Sequence, residues 1–110
     1  MLMKVIADKF FDFGSNENGT YLRLGNGFQI CWIERMDIPA GQDTILWTFP
    51  APFCDNNPTV IPFHRYCNEA YGWVGLGYYN NTSANLLVLD RENGKNLVRH
   101  VSAIALGRWK

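Results

Sequence analysis

The 110-residue sequence has no excess of charge of either sign: ten Lys and Arg meet ten Asp and Glu, and the net charge at neutral pH is zero. Nucleic-acid binders draw most of their affinity from neutralising phosphates with a basic face, so this balance argues against a nucleic-acid partner. It argues equally against adsorption to an anionic membrane through a polybasic patch. Long apolar runs are also missing. Nothing approaches the roughly 18 consecutive apolar residues of a membrane-spanning helix, so no membrane insertion is expected. The opening, Met1 to Phe13, has no apolar run of signal-peptide length before its next charge.

Cysteine is scarce and odd in number. Cys31, Cys54 and Cys67 lie 23 and 13 residues apart, which matches no zinc or redox spacing. They read as reduced thiols of a protein made in a cytosol, with Cys31, between Ile30 and Trp32, as a small core residue. A Cys54–Cys67 bridge is the lesser alternative. Histidine is scarcer still: His64 and His100 belong to no HxxxH or HExxH arrangement. No cofactor and no metal are expected; the lesser alternative is that in a trimer three copies of one histidine could ligate a metal. A Ser or Cys paired with a histidine stays open, because such sites assemble in space rather than along the chain. The ten carboxylates are scattered and single out no acid–base pair. Gly25-Asn-Gly27 and Gly75-Leu-Gly77 lack the Lys-Ser/Thr that a phosphate loop requires.

The chain has instead aromatic residues, at 15% and including four Trp, and uncharged polar groups, among them eleven Asn. Charged residues make up 18%, against about 25% in average soluble domains. A neutral, aromatic-rich domain is weakly protected against self-association, so a homo-oligomer is expected.

No stretch keeps the helical spacing of apolar residues, whereas short alternating runs bounded by Gly, Pro and Asn recur throughout. The expected fold is all-β, a small antiparallel β-sandwich in a single domain over residues 1–110, with 1–17 as a lead-in and 18–110 as the sandwich. Residues 20–24 and 28–34 flank Gly25-Asn-Gly27 and should form a hairpin. Phe28, Ile30 and Trp32 then point one way, Gln29, Cys31 and Ile33 the other. Residues 36–43 read as a loop and 44–49 as a strand ended by Pro50 and Pro52. Residues 60–63 read as a short strand, 64–70 as a turn, and 71–79, with three glycines, as a bent strand. Residues 80–83 read as a turn, 85–89 as a strand, 90–96 as a loop and 97–109 as a last strand.

Most aromatics belong to the core and to subunit contacts. The candidates for binding are those beside Asn: Trp73, Tyr78, Tyr79, Asn80 and Asn81. A ring face stacks on the C–H face of a sugar while amides bond its hydroxyls.

Three strings carry a resemblance. Gly19-Thr-Tyr-Leu-Arg-Leu-Gly25 followed by Asn26-Gly-Phe-Gln-Ile-Cys-Trp32 resembles the NGxYxRxxNGxQICW hairpin of C-terminal domains of bacteriophage and prophage tail fibres. Trp47-Thr-Phe-Pro-Ala-Pro-Phe53 with Pro58-Thr-Val60 is similar to their FPxxF…PxV segment, and Ala103-Ile-Ala-Leu-Gly-Arg-Trp-Lys110 to their AIGRWK terminus with one extra residue. The resemblance spans most of 18–110 in order. It implies a homotrimeric fibre tip in the virion, synthesised in the bacterial host cytoplasm, that recognises a host cell-surface glycan or an outer-membrane protein without enzymatic activity. The fibre's shaft and particle-attachment region would lie outside this sequence, which is then a piece of a longer fibre or a separate product. The alternatives are a tail-associated glycan depolymerase or esterase, and a structural trimerisation module without ligand contact.

Overall fold

A computed structural model describes residues 10–64, 72–90 and 98–110. Eight strands follow in chain order: β1 (Phe10–Asn16), β2 (Gly19–Leu24), β3 (Phe28–Ile38), β4 (Thr44–Thr48), β5 (Thr59–His64), β6 (Gly72–Tyr79), β7 (Ser83–Asp90) and β8 (Arg99–Arg108). They form a five-stranded sheet ordered β1-β2-β3-β8-β5 and a three-stranded sheet ordered β4-β7-β6, and every pairing is antiparallel. No helix occurs among the described residues.

The 20–34 hairpin forms as its turn chemistry demands. The Gly27 N–H donates to the Leu24 carbonyl at 3.0 Å, Gly27 has φ 98°, and Arg23 pairs with Gln29. The alternation in β3 holds, and it shows which side is the core: Gln29 and Cys31 are fully buried, while Phe28, Ile30 and Trp32 are half-buried on the opposite face.

Two expectations are corrected. Residues 10–16, read as part of a lead-in, form the edge strand β1, with Phe13 opposite Leu22. Residues 36–38, read as loop, continue β3 and pair with Val101, His100 and Arg99. A bulge makes this continuation possible: Glu34 and Arg35 together stand opposite Ser102, so the strand bends and then resumes pairing. A smaller shift occurs at Ser83, read as the end of a turn, which opens β7. Within the expected strand at 71–79, the described β6 is irregular, as its glycines suggest, with a register shift between Leu76 and Tyr79. His64 and Asp90, expected to open a turn and a loop, end β5 and β7 instead; residues 65–70 and 91–96, Cys67 and its bridge to Cys54 fall outside the described residues.

The core lies between the sheets. Cys31, Ile38, Val60, Val101, Ala103 and Ala105 come from the larger sheet, and Trp47, Ala84, Leu86 and Val88 from the smaller. The Phe49-Pro-Ala-Pro-Phe53 segment connects them, with Phe49, Pro50, Ala51 and Phe53 buried and Pro52 exposed. Trp47, Phe49 and Phe53 pack edge to face at 5.1 and 5.2 Å, each such pair adding about 1 kcal/mol to its burial. Proline suits this segment because its carbonyls and those of Ala51 are spoken for by side chains rather than by a ladder. Ala51 accepts from Gln29 Nε2 at 3.0 Å, and Pro52 from Arg23 Nη2 at 3.2 Å. Gln29 is satisfied inside the core because Arg23 Nε also donates to its Oε1 at 2.7 Å.

Candidate functional site

The strand β6 separates the sequence-predicted residues. Trp73 stands opposite Leu89 near one end of the β6–β7 pair, and Tyr79 opposite Ala84 near the other. Five residue steps of strand, roughly 17 Å, separate Trp73 from Tyr78, so Trp73 does not join the other four.

Tyr78 and Tyr79 reach solvent, at 72% and 38% exposure. The two asparagines beside them are committed to holding the turn. Asn80 Oδ1 accepts from the Thr82 and Ser83 N–H groups at 2.8 and 3.0 Å, and from the Thr82 hydroxyl at 3.0 Å. The Asn81 backbone docks on the neighbouring loop: its N–H donates to Asn56 Oδ1 at 3.2 Å, and its carbonyl accepts from the Phe53 N–H at 2.9 Å. The same use recurs elsewhere. Asn16 Oδ1 accepts the Asn18 N–H at 2.8 Å and Asn26 Oδ1 the Phe28 N–H at 3.0 Å, the local bond that makes Asn a turn former. Much of the asparagine surplus is therefore turn chemistry, and the aromatic–Asn pattern narrows to Tyr78 and Tyr79 on a rigid loop end.

His100, opposite Asp37 in the register, bonds it through Nδ1 at 2.6 Å, and Arg35 Nε donates to the same oxygen at 2.9 Å. The Arg35 guanidinium first, and then His100, hold the Asp37 carboxyl below its ordinary range. Ser102, two residues from His100, gives its hydroxyl to the Glu34 carbonyl at 2.5 Å, so it is occupied as a donor. Burial pushes the Cys31 thiol up to about 11, which leaves it a poor nucleophile. Among the described residues, no three His, Cys, Asp or Glu side chains gather as a metal site.

Sequence reasoning missed the outer face of the five-stranded sheet. Its register aligns Phe13, Leu22, Ile30 and Leu106 in one row, and Trp32, Ile104 and Ile61 in the next, with Phe63 beside Ser102. Phe13, Ile61 and Phe63 are 57%, 40% and 45% exposed. A signal was present: these strands carry large apolar residues at both parities, as strands covered on both faces do.

This two-sheet antiparallel fold is similar to that of solved tail-fibre fragments. The chain matches an N-truncated R1-type pyocin tail fibre with a TM-score of 0.66 and 14% identity, over 96% of this chain and 93% of that one. It matches a C-terminal fragment of the Pseudomonas aeruginosa R1 pyocin fibre at 0.64 and 14%, over 89% of this chain and 28% of that one. A P. aeruginosa R2 pyocin fibre fragment matches at 0.61 and 17%, over 90% of this chain and 26% of that one. The chain thus spans about a quarter of the length of these two larger fragments. At such identities the likeness is one of fold. No protein-family model matches the sequence, and no curated protein matches it.

Proposed function

We propose that the chain is the receptor-binding tip of a tail fibre of a phage, prophage or tail-like particle, acting as a homotrimer that binds host surface polysaccharide without catalysis. The observation that carries this reading is the fold, shared over 93% of an N-truncated tail-fibre chain. The ordered hairpin, FPxxF…PxV and terminal strings support it from the sequence side. The apolar outer face supports the trimer: exposed apolar side chains gathered on one sheet face mark an interaction surface, and closed three-fold symmetry covers one such face per subunit. Repeated weak sites then gain avidity on a cell coated with a repeating glycan. The His100–Asp37 pair is part of a surface ion cluster rather than poised on a nucleophile, which favours binding over hydrolysis.

The test is binding of the fluorescently labelled chain to a panel of Gram-negative cells, with competition by their purified surface polysaccharide. Saturable, competed binding with undiminished polysaccharide length is expected. Shortened polysaccharide would replace this reading with a depolymerase, and absence of binding to any cell would favour a structural trimerisation module.

A further inference from the structure

Three cations gather at one end of the sandwich, where the end of β8, the β2–β3 turn and the loop after Phe53 meet. The Arg108 carbonyl accepts from the Cys54 N–H at 2.8 Å, and Arg108 Nη2 donates to the Asn26 carbonyl at 2.9 Å. Arg23 and Lys110 attend one indole, their charged groups 5.3 and 4.9 Å from the Trp109 ring, so the two charges stand within about 10 Å, the Debye length at roughly 0.1 M salt. Among the described residues, none of the three cations reaches a carboxylate side chain at ion-pair distance. The carboxylates of this end have other partners. Asp12, opposite Arg23 in the register, accepts from the Tyr21 hydroxyl at 3.1 Å, and Asp55 accepts from the Asn57 N–H at 3.0 Å. Arg108 Nε serves the chain's own end by donating to the Lys110 carbonyl oxygen at 3.2 Å, which leaves Arg108 Nη1 and the Lys110 ammonium as donors.

The neutral groups here are turned the same way. Asn26 Oδ1 accepts the Phe28 N–H at 3.0 Å, and Asn56 Oδ1 accepts the Asn81 N–H at 3.2 Å. Only the oxygen of an amide can accept from a backbone N–H, so in both side chains the oxygen serves the fold and the NH2 group, with two donors, is left over. Both asparagines are exposed. The end therefore offers positive charge and N–H donors together. It stands apart from the apolar outer rows: Arg23 shares the face of Gln29 rather than that of Leu22, and Trp109 and Lys110 follow the last ladder pair, Phe28 with Arg108.

We infer that this end binds an anionic substituent of the receptor glycan, the carboxylate of an acidic sugar or a phosphate ester. Lys110, Arg108 and Arg23 supply the charge, and the Asn26 and Asn56 amides donate to the anion's oxygens and to neighbouring hydroxyls. Hydrogen bonds with an ionised partner are about twice as strong as neutral ones, and cations held close together without a counter-ion gain from an added anion. The inference rests on the receptor-binding reading and adds the charge its ligand must carry. It places that ligand away from Tyr78 and Tyr79.

The test uses matched oligosaccharides in three forms, neutral, bearing a uronic acid and bearing a phosphate monoester, with NMR of the asparagine NH2 groups. Expected are at least ten-fold tighter binding of an acidic form than of the neutral one, affinity that falls as salt rises, and shifts of the Asn26 and Asn56 resonances. The tighter of the two acidic forms identifies the substituent. Lys110→Glu, beyond the last strand, should abolish the preference without touching the core. Asn26→Asp and Asn56→Asp keep the acceptor that each turn needs while replacing the outward NH2 by an oxygen, so each should keep the parent's melting temperature and lose several-fold in affinity for the acidic form. Equal binding of neutral and acidic forms, unchanged binding in Lys110→Glu, or loss in Tyr78→Ala alone would overturn the site while leaving receptor binding intact. Failure of the chain to bind any cell would count against the receptor reading itself.

Discussion

The indole nitrogen of Trp109 donates a hydrogen bond to the carbonyl of Leu24 at 2.8 Å, joining positions 85 residues apart. The same ring lies 5.3 Å from the Arg23 guanidinium, and the Trp109 backbone N–H reaches the Gly27 carbonyl at 2.9 Å. The end of the chain thus closes over the β2–β3 turn and continues the β3–β8 ladder past its last pair. Trp109→Ala should cost about 2 kcal/mol, the sum of a half-buried ring, a cation–π contact and a hydrogen bond. Trp109→Phe should cost about half that, since it keeps the ring and loses only the donor. Chemical denaturation of the three proteins checks the order.

Cys31 provides a probe of core integrity. With its thiol pushed up to about 11 by burial, roughly a thousandth is thiolate at pH 8. N-ethylmaleimide should therefore spare Cys31 in the native protein, modify the exposed Cys54, and reach Cys31 only on unfolding. Peptide mapping by mass spectrometry reads both positions, and native labelling of Cys31 would contradict the described packing.

The period-two pattern in 28–33 was legible because a strand has only two faces, but the choice of core face was not. The bulkier set, Phe28, Ile30 and Trp32, faces outward, while the core side holds Gln29 and Cys31. Hydrophobicity alone would choose the reverse; the buried glutamine is tolerated because Arg23 and the Ala51 carbonyl satisfy it. Similarly, 36–38 looked like loop because Pro39 and Gly41 follow, and the bulge at 34–35 that lets β3 resume pairing carries no local signal. Asn80 and Asn81 were legible as turn residues, and their proximity to Tyr78 suggested a ligand only because sequence does not show which amides are already bonded.

The division of labour at that turn is measurable. Asn80→Ala removes an acceptor shared by three close donors and should destabilise the protein by about 1–2 kcal/mol, lowering its melting temperature by about 5 °C or more. Tyr78→Ala, at a side chain 72% exposed, should change stability by less than about 0.5 kcal/mol. Equal melting temperatures for the two variants would show that the turn does not rely on Asn80.

The Asp37 carboxyl sets an acid limb. Its folded pKa lies below the ordinary 3.8 because Arg35 and then His100 bond the charged form. A depressed acid stabilises above its unfolded pKa, and that contribution disappears as pH falls through the folded value. Asp37→Asn should therefore melt slightly below the parent above about pH 4 and converge with it in stronger acid. The carboxyl is exposed, so the gap should shrink in high salt. Melting curves across pH and salt test both trends.

The apolar outer face makes the most consequential prediction. Sedimentation of the chain should give about three times 12.6 kDa, with Ile61, Phe63 and their row neighbours covered by other subunits. In the monomer these side chains point to solvent, so Ile61→Lys with Phe63→Lys should leave the fold and its circular dichroism intact. In a three-fold assembly each lysine appears three times around one axis. The substitutions would then bury charge without partners and bring like charges together, each effect costing several times what a surface change does. The variant should sediment as a 12.6 kDa monomer and bind cells far more weakly, because avidity is lost even where each single site is unchanged. A parent chain that is monomeric at high concentration, or a doubly substituted chain that still trimerises, would show that this face is not the subunit contact.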